Sequence, residues 1–376
     1  MRILLTADPE LPVPPVTYGG IERIVAELAV GLRDRGHAVG LVAHPDSTAH
    51  ADAFFPWAGT ASQSVRDTFR NCRVLARAVR MFRPDVLHSF SRLMYMLPLL
   101  PRRLPKVMSY QRNPSLRTTG WARRIAGRTL RFTGCSEFIC RLGCRAGGTW
   151  EAIPNFVDLA KYTFRPQVPA DAPLVFLSRV EPIKGAHLAI TVARRAGRRL
   201  VIAGNRATDG PNGAYWREQI APQLGRDGVE YVGAVNDAQK NELLGRAAAL
   251  LVPIRWDEPF GIVFAEALAC GTPVISCPRG ALPEIVRDGR EGFLAETEDE
   301  LVGAVGKLPA IDRAACRARV EEAFSAEVVV GRYQQLYSEM TRPAMPRPTH
   351  PGPTPIGHRI ADMTTEPVSP PAGGGR

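Results

Sequence analysis

Short apolar runs alternating with helix-length amphipathic stretches govern what this chain can fold into, and the pattern occurs twice. Ile3-Leu4-Leu5 reads as a buried strand, after which Ile21, Ile24, Val25, Leu28, Ala29 and Leu32 recur at spacings of three and four. That spacing is one face of a helix. Gly36 stops the helix and Val39 to Ala43 is the second strand. Pro84 to His88 enters a further strand and Lys106 to Tyr110 another. The second half restarts with strands at Leu174–Leu177, Leu200–Ala203, Val229–Val232, Ala249–Val252 and Val274–Cys277. Helices are expected over Gly185–Ala196 and over Glu258–Cys270, the latter stopped by Gly271 and Pro273. Strand–helix–strand order demands a parallel sheet with helices on both faces. The class is therefore α/β, with two doubly wound domains facing a cleft, and such sheets bind ligands at the carboxyl ends of their strands.

The expected divisions are 1–160, 161–326, a C-terminal helix over 327–342, and a tail over 343–376. A linker over Lys161–Ala172, with Pro166, Pro169 and then Pro173, separates the halves. Val328, Val329, Tyr333, Leu336 and Tyr337 mark an amphipathic helix that can pack on either domain. The tail has nine prolines and five glycines among 34 residues, too little apolar surface to offset ordering entropy, and is expected to be disordered.

Composition excludes several classes. With 45% hydrophobic residues the chain can build a core. No apolar run approaches the roughly 20 residues of a membrane-spanning helix, and Met1–Thr6 is too short for a secretory h-region, so a cytoplasmic protein is expected. Seven cysteines make no disulfide framework, and Cys135, Cys140 and Cys144 match no zinc spacing. The net charge is +11, and Arg102 to Arg145 holds eleven Lys or Arg against Glu137 alone. This basic stretch attracts an anion: acidic lipid, a phosphorylated substrate or nucleic acid. Within it, Leu116–Phe132 joins Trp121, Ile125, Leu130 and Phe132 with five arginines, a composition suited to peripheral contact with an anionic membrane.

Three segments carry chemistry. In Glu258-Pro259-Phe260-Gly261-Ile262, followed by Glu266, two carboxylates flank a helix start. The amides of Phe260, Gly261 and Ile262 are free there to meet a diphosphate, which the helix dipole also favours. Glu258 lies ahead of that anion, and Glu266 leans back toward it from beyond. Arg179 and Lys184 open the helix after the Leu174–Leu177 strand, where two cations neutralise the charge on a departing diphosphate. Tyr18-Gly19-Gly20 is a small-residue loop between the first strand and first helix, without the dinucleotide fingerprint.

In this order the residues resemble the retaining glycosyltransferases of family 4. The matching motifs are Gly19-Gly20-Ile21-Glu22, Ile153-Pro154-Asn155-Phe156-Val157-Asp158, Arg179 with Lys184-Gly185, Val232-Gly233, and Glu258-Pro259-Phe260-Gly261 with Glu266 to Val274. The resemblance covers about residues 1–340. It implies the GT-B fold, two Rossmann-like domains around a cleft, and transfer of a hexose from a nucleotide-diphosphate sugar to an acceptor hydroxyl with retention. The pathway implied is assembly of a polysaccharide, glycolipid or glycosylated metabolite, with a sugar or lipid-linked acceptor.

By the same resemblance, Arg179, Lys184, Gly19, Gly20 and the amides of Phe260 to Ile262 hold the diphosphate. Glu266 takes the ribose, Glu258 the transferred sugar, and Asn205, Val232 and Gly233 lie near the base. No cofactor and no metal are expected, in keeping with the missing D-x-D triplet. Many relatives carry a histidine where Gln111 stands here, so Gln111 and His88 are both acceptor-side candidates and no general base is assigned. The alternatives are a non-catalytic nucleotide- or nucleic-acid-binding protein using the basic stretch, and a nicotinamide oxidoreductase. The first has no need of the four charged residues in this order and lacks a nucleic-acid motif; the second lacks the glycine fingerprint.

Overall fold

The computed structural model describes residues 1–15 and 19–342. Tyr18 and the tail over 343–376 lie outside the described residues. The first half holds β1 (Arg2–Thr6), α1 (Gly20–Asp34), β2 (Ala38–Ala43), β3 (Ala53–Pro56), α2 (Val65–Phe82) and β4 (Val86–Ser89). A 3₁₀ turn at Leu93–Leu99 leads to β5 (Lys106–Tyr110), α3 (Leu116–Ala126), β6 (Leu130–Gly134), α4 (Glu137–Cys144) and β7 (Trp150–Ala152). The seven strands form one parallel sheet in the order β3-β2-β1-β4-β5-β6-β7.

The second half is built likewise from β8 (Leu174–Leu177), α5 (Ala186–Arg195), β9 (Leu200–Ala203), α6 (Gly210–Tyr215), β10 (Val229–Gly233), α7 (Asp237–Gly245) and β11 (Ala249–Val252). It continues through α8 (Ile262–Ala269), β12 (Val274–Ser276), α9 (Leu282–Ile285), β13 (Gly292–Leu294), α10 (Glu298–Lys307) and α11 (Arg313–Ala323). Its parallel sheet runs β10-β9-β8-β11-β12-β13. In both sheets the order reverses between neighbours of the first strand, which opens a crevice at the carboxyl ends.

The last helix, α12 (Ala326–Thr341), packs on α1 rather than on the second sheet. Its Val329, Val330, Tyr333, Leu336 and Tyr337 join Ile24, Val25 and Leu28 of α1 in one apolar cluster. The chain passes between the sheets twice, after β7 and before α12, and the two passages are bonded to each other. Val157 donates to the Phe324 carbonyl at 2.9 Å, and Ala326 donates to the Val157 carbonyl at 3.2 Å.

Three expectations are corrected here. His88 does not face the cleft: it is fully buried, with Nδ1 2.6 Å from the Tyr337 hydroxyl and Nε2 2.6 Å from Ser109 Oγ. Both ring nitrogens are occupied in the core, where His88 ties β4 to β5 and α12. The helix expected from Glu258 begins only at Ile262, because Pro259 supplies no amide and Gly261 sits at φ 83°. The basic stretch also loses a member. Lys106 is buried, with Nζ donating to the carbonyls of Arg102 and Leu104 and to Thr129 Oγ1. Cys135 and Cys140 are buried packing groups, and no metal-holding cluster exists among the described residues.

Burial lowers the His88 pKa to about 3, below its ordinary value near 6.5. Between these values the unfolded chain binds a proton that the folded chain does not, so stability falls as pH is lowered from about 6.5 toward 3. Denaturant melts across that window are expected to show His88→Asn less stable at pH 7 but with a shallower pH slope, by up to one proton (about 1.4 kcal/mol per pH unit). An unchanged slope would place the acid sensitivity elsewhere.

Candidate active site

The loops that follow β1, β6, β11 and β12 meet, and this meeting defines the site. A Cβ placed on Gly20 would lie 3.1 Å from Ile262 Cδ1, so the glycine loop before α1 abuts the first residue of α8. Ser136 Oγ, after β6, donates to the Pro259 carbonyl at 2.6 Å. Glu284 of α9 accepts from the amides of Glu137 and Phe138, both at 2.7 Å, at the start of α4. Arg23 pairs with Asp237 at 2.5 Å, another link between the halves.

The donor-side loop is shaped by glycine. A Cβ on Gly280 would fall 2.4 Å from the Glu258 backbone nitrogen, so only glycine lets the turn after β12 lie against residue 258. The Ala281 amide then donates to the Glu258 carbonyl at 2.9 Å. With its backbone clamped, Glu258 sends its carboxylate onto Lys184 at 2.5 Å and the Trp256 indole NH at 3.0 Å. Lys184 Nζ also lies 4.8 Å from the centre of the Trp256 ring. Lys184 and Glu258, 74 residues apart, are both buried and form one ion pair.

A second pair stands by α8. Glu266 Oε1 accepts from Lys240 at 2.5 Å and from the Tyr162 hydroxyl at 2.7 Å. Burial and the adjacent Glu266 charge push the Tyr162 hydroxyl far above its ordinary pKa, so it remains a donor. Arg179 pairs with Glu181 at 2.8 Å and stays partly open to solvent. Asn205 is exposed, and its carbonyl accepts from the Val180 amide at 2.9 Å. Val232 lines an apolar groove of about 600 Å³ with Val235, Gln239 and Leu243. Gly233 closes β10 at φ 80°. The structure thus brings Lys184, Glu258 and the amides of residues 260–262 together, while the Val232 side chain faces a groove that none of Arg179, Lys184, Glu258 or Glu266 lines.

Across the cleft, Asp8, two residues past β1, is buried beside Glu22, Glu10 and Arg112. Arg112 reaches Asp8 at 3.2 Å, yet Asp8 Oδ1 has no hydrogen-bond partner. Burial raises both the Asp8 and Glu22 carboxyls above their ordinary range, outweighing the pull of Arg112. Gln111, one residue past β5, has its Nε2 buried and likewise without a partner. Asp8, Tyr162, Lys240, Trp256, Gly280 and Glu284 were not found by sequence reasoning. Only the Glu258–Trp256 contact, between residues two apart, is close enough in sequence to have offered a signal.

Comparison with known proteins now decides the family. The profile described as "Glycosyltransferase Family 4" matches residues 18–161, and "Glycosyl transferases group 1" matches residues 165–320. The chain belongs to glycosyltransferase family 4. A D-inositol 3-phosphate glycosyltransferase of Acidothermus cellulolyticus is 31% identical over 226 residues, covering 53% of this chain and 49% of the relative. The chain thus spans about half the length of that relative. A glycogen synthase of Mycobacterium tuberculosis is 26% identical over 400 residues, covering 90% of this chain and 94% of the relative. Among solved structures, AviGT4, a glycosyltransferase of avilamycin A biosynthesis, is 26% identical with TM-score 0.68, covering 90% of this chain and 98% of its own. The Anabaena protein HepE, solved with UDP and glucose, is 20% identical with TM-score 0.68 over 90% of this chain and 100% of its own. The two facing sheets are those of the GT-B glycosyltransferases.

Removing one member of the Lys184–Glu258 pair strands a buried charge. Lys184→Met is expected to cost about 3 kcal/mol of stability, and adding Glu258→Gln to recover part of it. A double-mutant cycle by chemical denaturation measures this. Additive effects would mean the two groups are not coupled.

Proposed function

We propose that this family 4 enzyme transfers a hexose from a nucleoside-diphosphate sugar to an acceptor hydroxyl, with retention at the anomeric carbon. The observation that carries this reading is the placement of two lysine–carboxylate pairs beside α8, flanking amides that have no helical partner. Those amides, at Phe260, Gly261 and Ile262, take the diphosphate, with the glycine loop at Gly19 and Gly20 approaching from the other sheet. Arg179 and Lys184 supply the countercharge, so no resident metal enters this mechanism. Glu266 accepts from the ribose hydroxyls, and Glu258 from the hexose hydroxyls. Asn205 and Gly233 border the nucleobase at the ends of β9 and β10.

In the reaction the bond from the anomeric carbon to the diphosphate oxygen breaks and the acceptor oxygen bonds to the same face of that carbon. The acceptor proton passes to the leaving phosphate oxygen. Lys184 moves from Glu258 toward the phosphate as charge grows there, which frees Glu258 to steady the positive sugar ring. Asp8 and Gln111 meet the acceptor, since each has a buried polar atom that the protein leaves without a partner. The acceptor is a sugar or lipid-linked hydroxyl. The relatives named for inositol phosphate and glycogen synthesis support a polyhydroxylated acceptor and a biosynthetic role. Neither a binding-only role nor an oxidoreductase accounts for both lysine–carboxylate pairs.

Thermal unfolding with UDP, GDP and ADP in the presence of chelator is expected to single out one nucleotide. At about 100 times its dissociation constant a ligand stabilises by about 2.7 kcal/mol. The shift should vanish in Lys184→Ala. With the matching nucleotide sugar, replacing Arg179, Lys184 or Glu258 by alanine should lower kcat about 10²-fold or more. The product's anomeric configuration, read by NMR, should equal the donor's. Inversion, or no nucleotide-dependent shift, would overturn the reading.

A further inference from the structure

Of the eleven large apolar side chains exposed among the described residues, seven lie on α2, the 3₁₀ turn and α3. Val65 and Phe69 are 72% and 64% exposed on α2, Met94 37% on the turn, and Leu116, Trp121 and Ile125 38%, 45% and 39% on α3. These three elements share one face of the first sheet. Their inward residues, such as Leu75, Phe82, Met96 and Ala122, belong to one apolar cluster, whereas α1 and α12 pack in another on the opposite face. Apolar exposure concentrated on one face of a folded protein marks an interaction surface.

The same face is strongly basic. On α2, Arg66, Arg70, Arg73, Arg77 and Arg80 are all exposed, with Asp67 the only acid of the helix and 3.6 Å from Arg70. On α3, Arg117, Arg123 and Arg124 are exposed and no acid occurs. The solvent side of each helix therefore mixes arginines with large aliphatic and aromatic groups, opposite the buried side.

We infer that the face formed by α2, the 3₁₀ turn and α3 docks on a membrane surface carrying anionic lipids, with both helices lying in the interfacial plane. Arginines alone would suit a polyphosphate backbone, but exposed Val65, Leu116 and Ile125 gain nothing from a nucleic acid. An acidic bilayer rewards both features: the apolar groups enter the acyl boundary and the guanidinium groups meet headgroup charge. The face borders the acceptor side of the cleft, because Arg92, at the head of the turn, and Arg112, just before α3, both act electrostatically on Asp8. The docking goes beyond the transfer reaction and does not depend on it.

Co-sedimentation with vesicles tests this directly. Full-length protein should bind vesicles of equal parts phosphatidylglycerol and phosphatidylcholine at least about tenfold more tightly than phosphatidylcholine alone. The pair Arg117→Glu/Arg124→Glu, and separately Trp121→Ser/Ile125→Ser, should each lower that partition about tenfold or more. Neither pair should alter the nucleotide-induced thermal shift. The proposal is overturned if the protein ignores anionic vesicles, if either variant pair binds as well as the parent, or if transfer RNA is bound while vesicles are not. Vesicle binding with no nucleotide shift would instead sink the transferase reading and leave the docking intact.

Discussion

The loop from Glu258 to Gly261 must satisfy two sheets at once, and most of the site follows from that constraint. Its Pro259 carbonyl accepts from Ser136 of the first sheet, while its backbone at residue 258 is pressed against Gly280 of the second. A loop held from both sides has little freedom to relax. The amides that follow it lie ahead of the α8 ladder, and a loop held this way presents its backbone dipoles with little need to reorganise. The absence of a helical turn over these residues is therefore useful. Had the helix begun at Glu258, the Gly261 and Ile262 amides would bond carbonyls four residues back, and only the Phe260 amide would be left for a ligand.

Charge in the cleft is balanced internally. Lys184 neutralises Glu258, and Lys240 neutralises Glu266, so neither buried carboxylate stands alone. On the proposed reading, a bound dianion would compete for the lysines while sugar and ribose hydroxyls replace them on the carboxylates. Exchange of partners costs less than creating a bare buried charge. Asp8 and Gln111 are different, because each keeps a buried atom without a protein partner.

Much of the fold was legible because parallel strands buried on both faces leave continuous apolar runs, such as Leu174–Leu177 and Ala249–Val252. The short strands β3, β7 and β13 escaped, since three or four residues with at most one fully buried leave no continuous apolar run, and β6 was hidden in the basic stretch Leu116–Phe132. Glu258, Lys184, Arg179 and Glu266 were legible as charged residues next to glycine or a helix start. Their partnerships were not, because Lys184–Glu258 and Glu266–Tyr162 join residues 74 and 104 apart. His88 misled for a physical reason: a polar residue near a strand end resembles a site residue until α12 is seen to cover it. The arginines of α2 escaped a count made on sequence, as acids elsewhere in the chain offset them in the total.

The paired passages at Val157 and at residues 324–326 make one joint out of two connections. Because the two are bonded to each other, neither can shift without its partner, and the second sheet is carried on a doubled strap rather than a single thread. The Glu284 carboxylate on the α4 amides is a further tie between the halves. One apolar cluster also runs from Leu4 and Phe132 of the first half to Leu174 and Phe260 of the second, so the halves are joined by packing as well as by polar contacts.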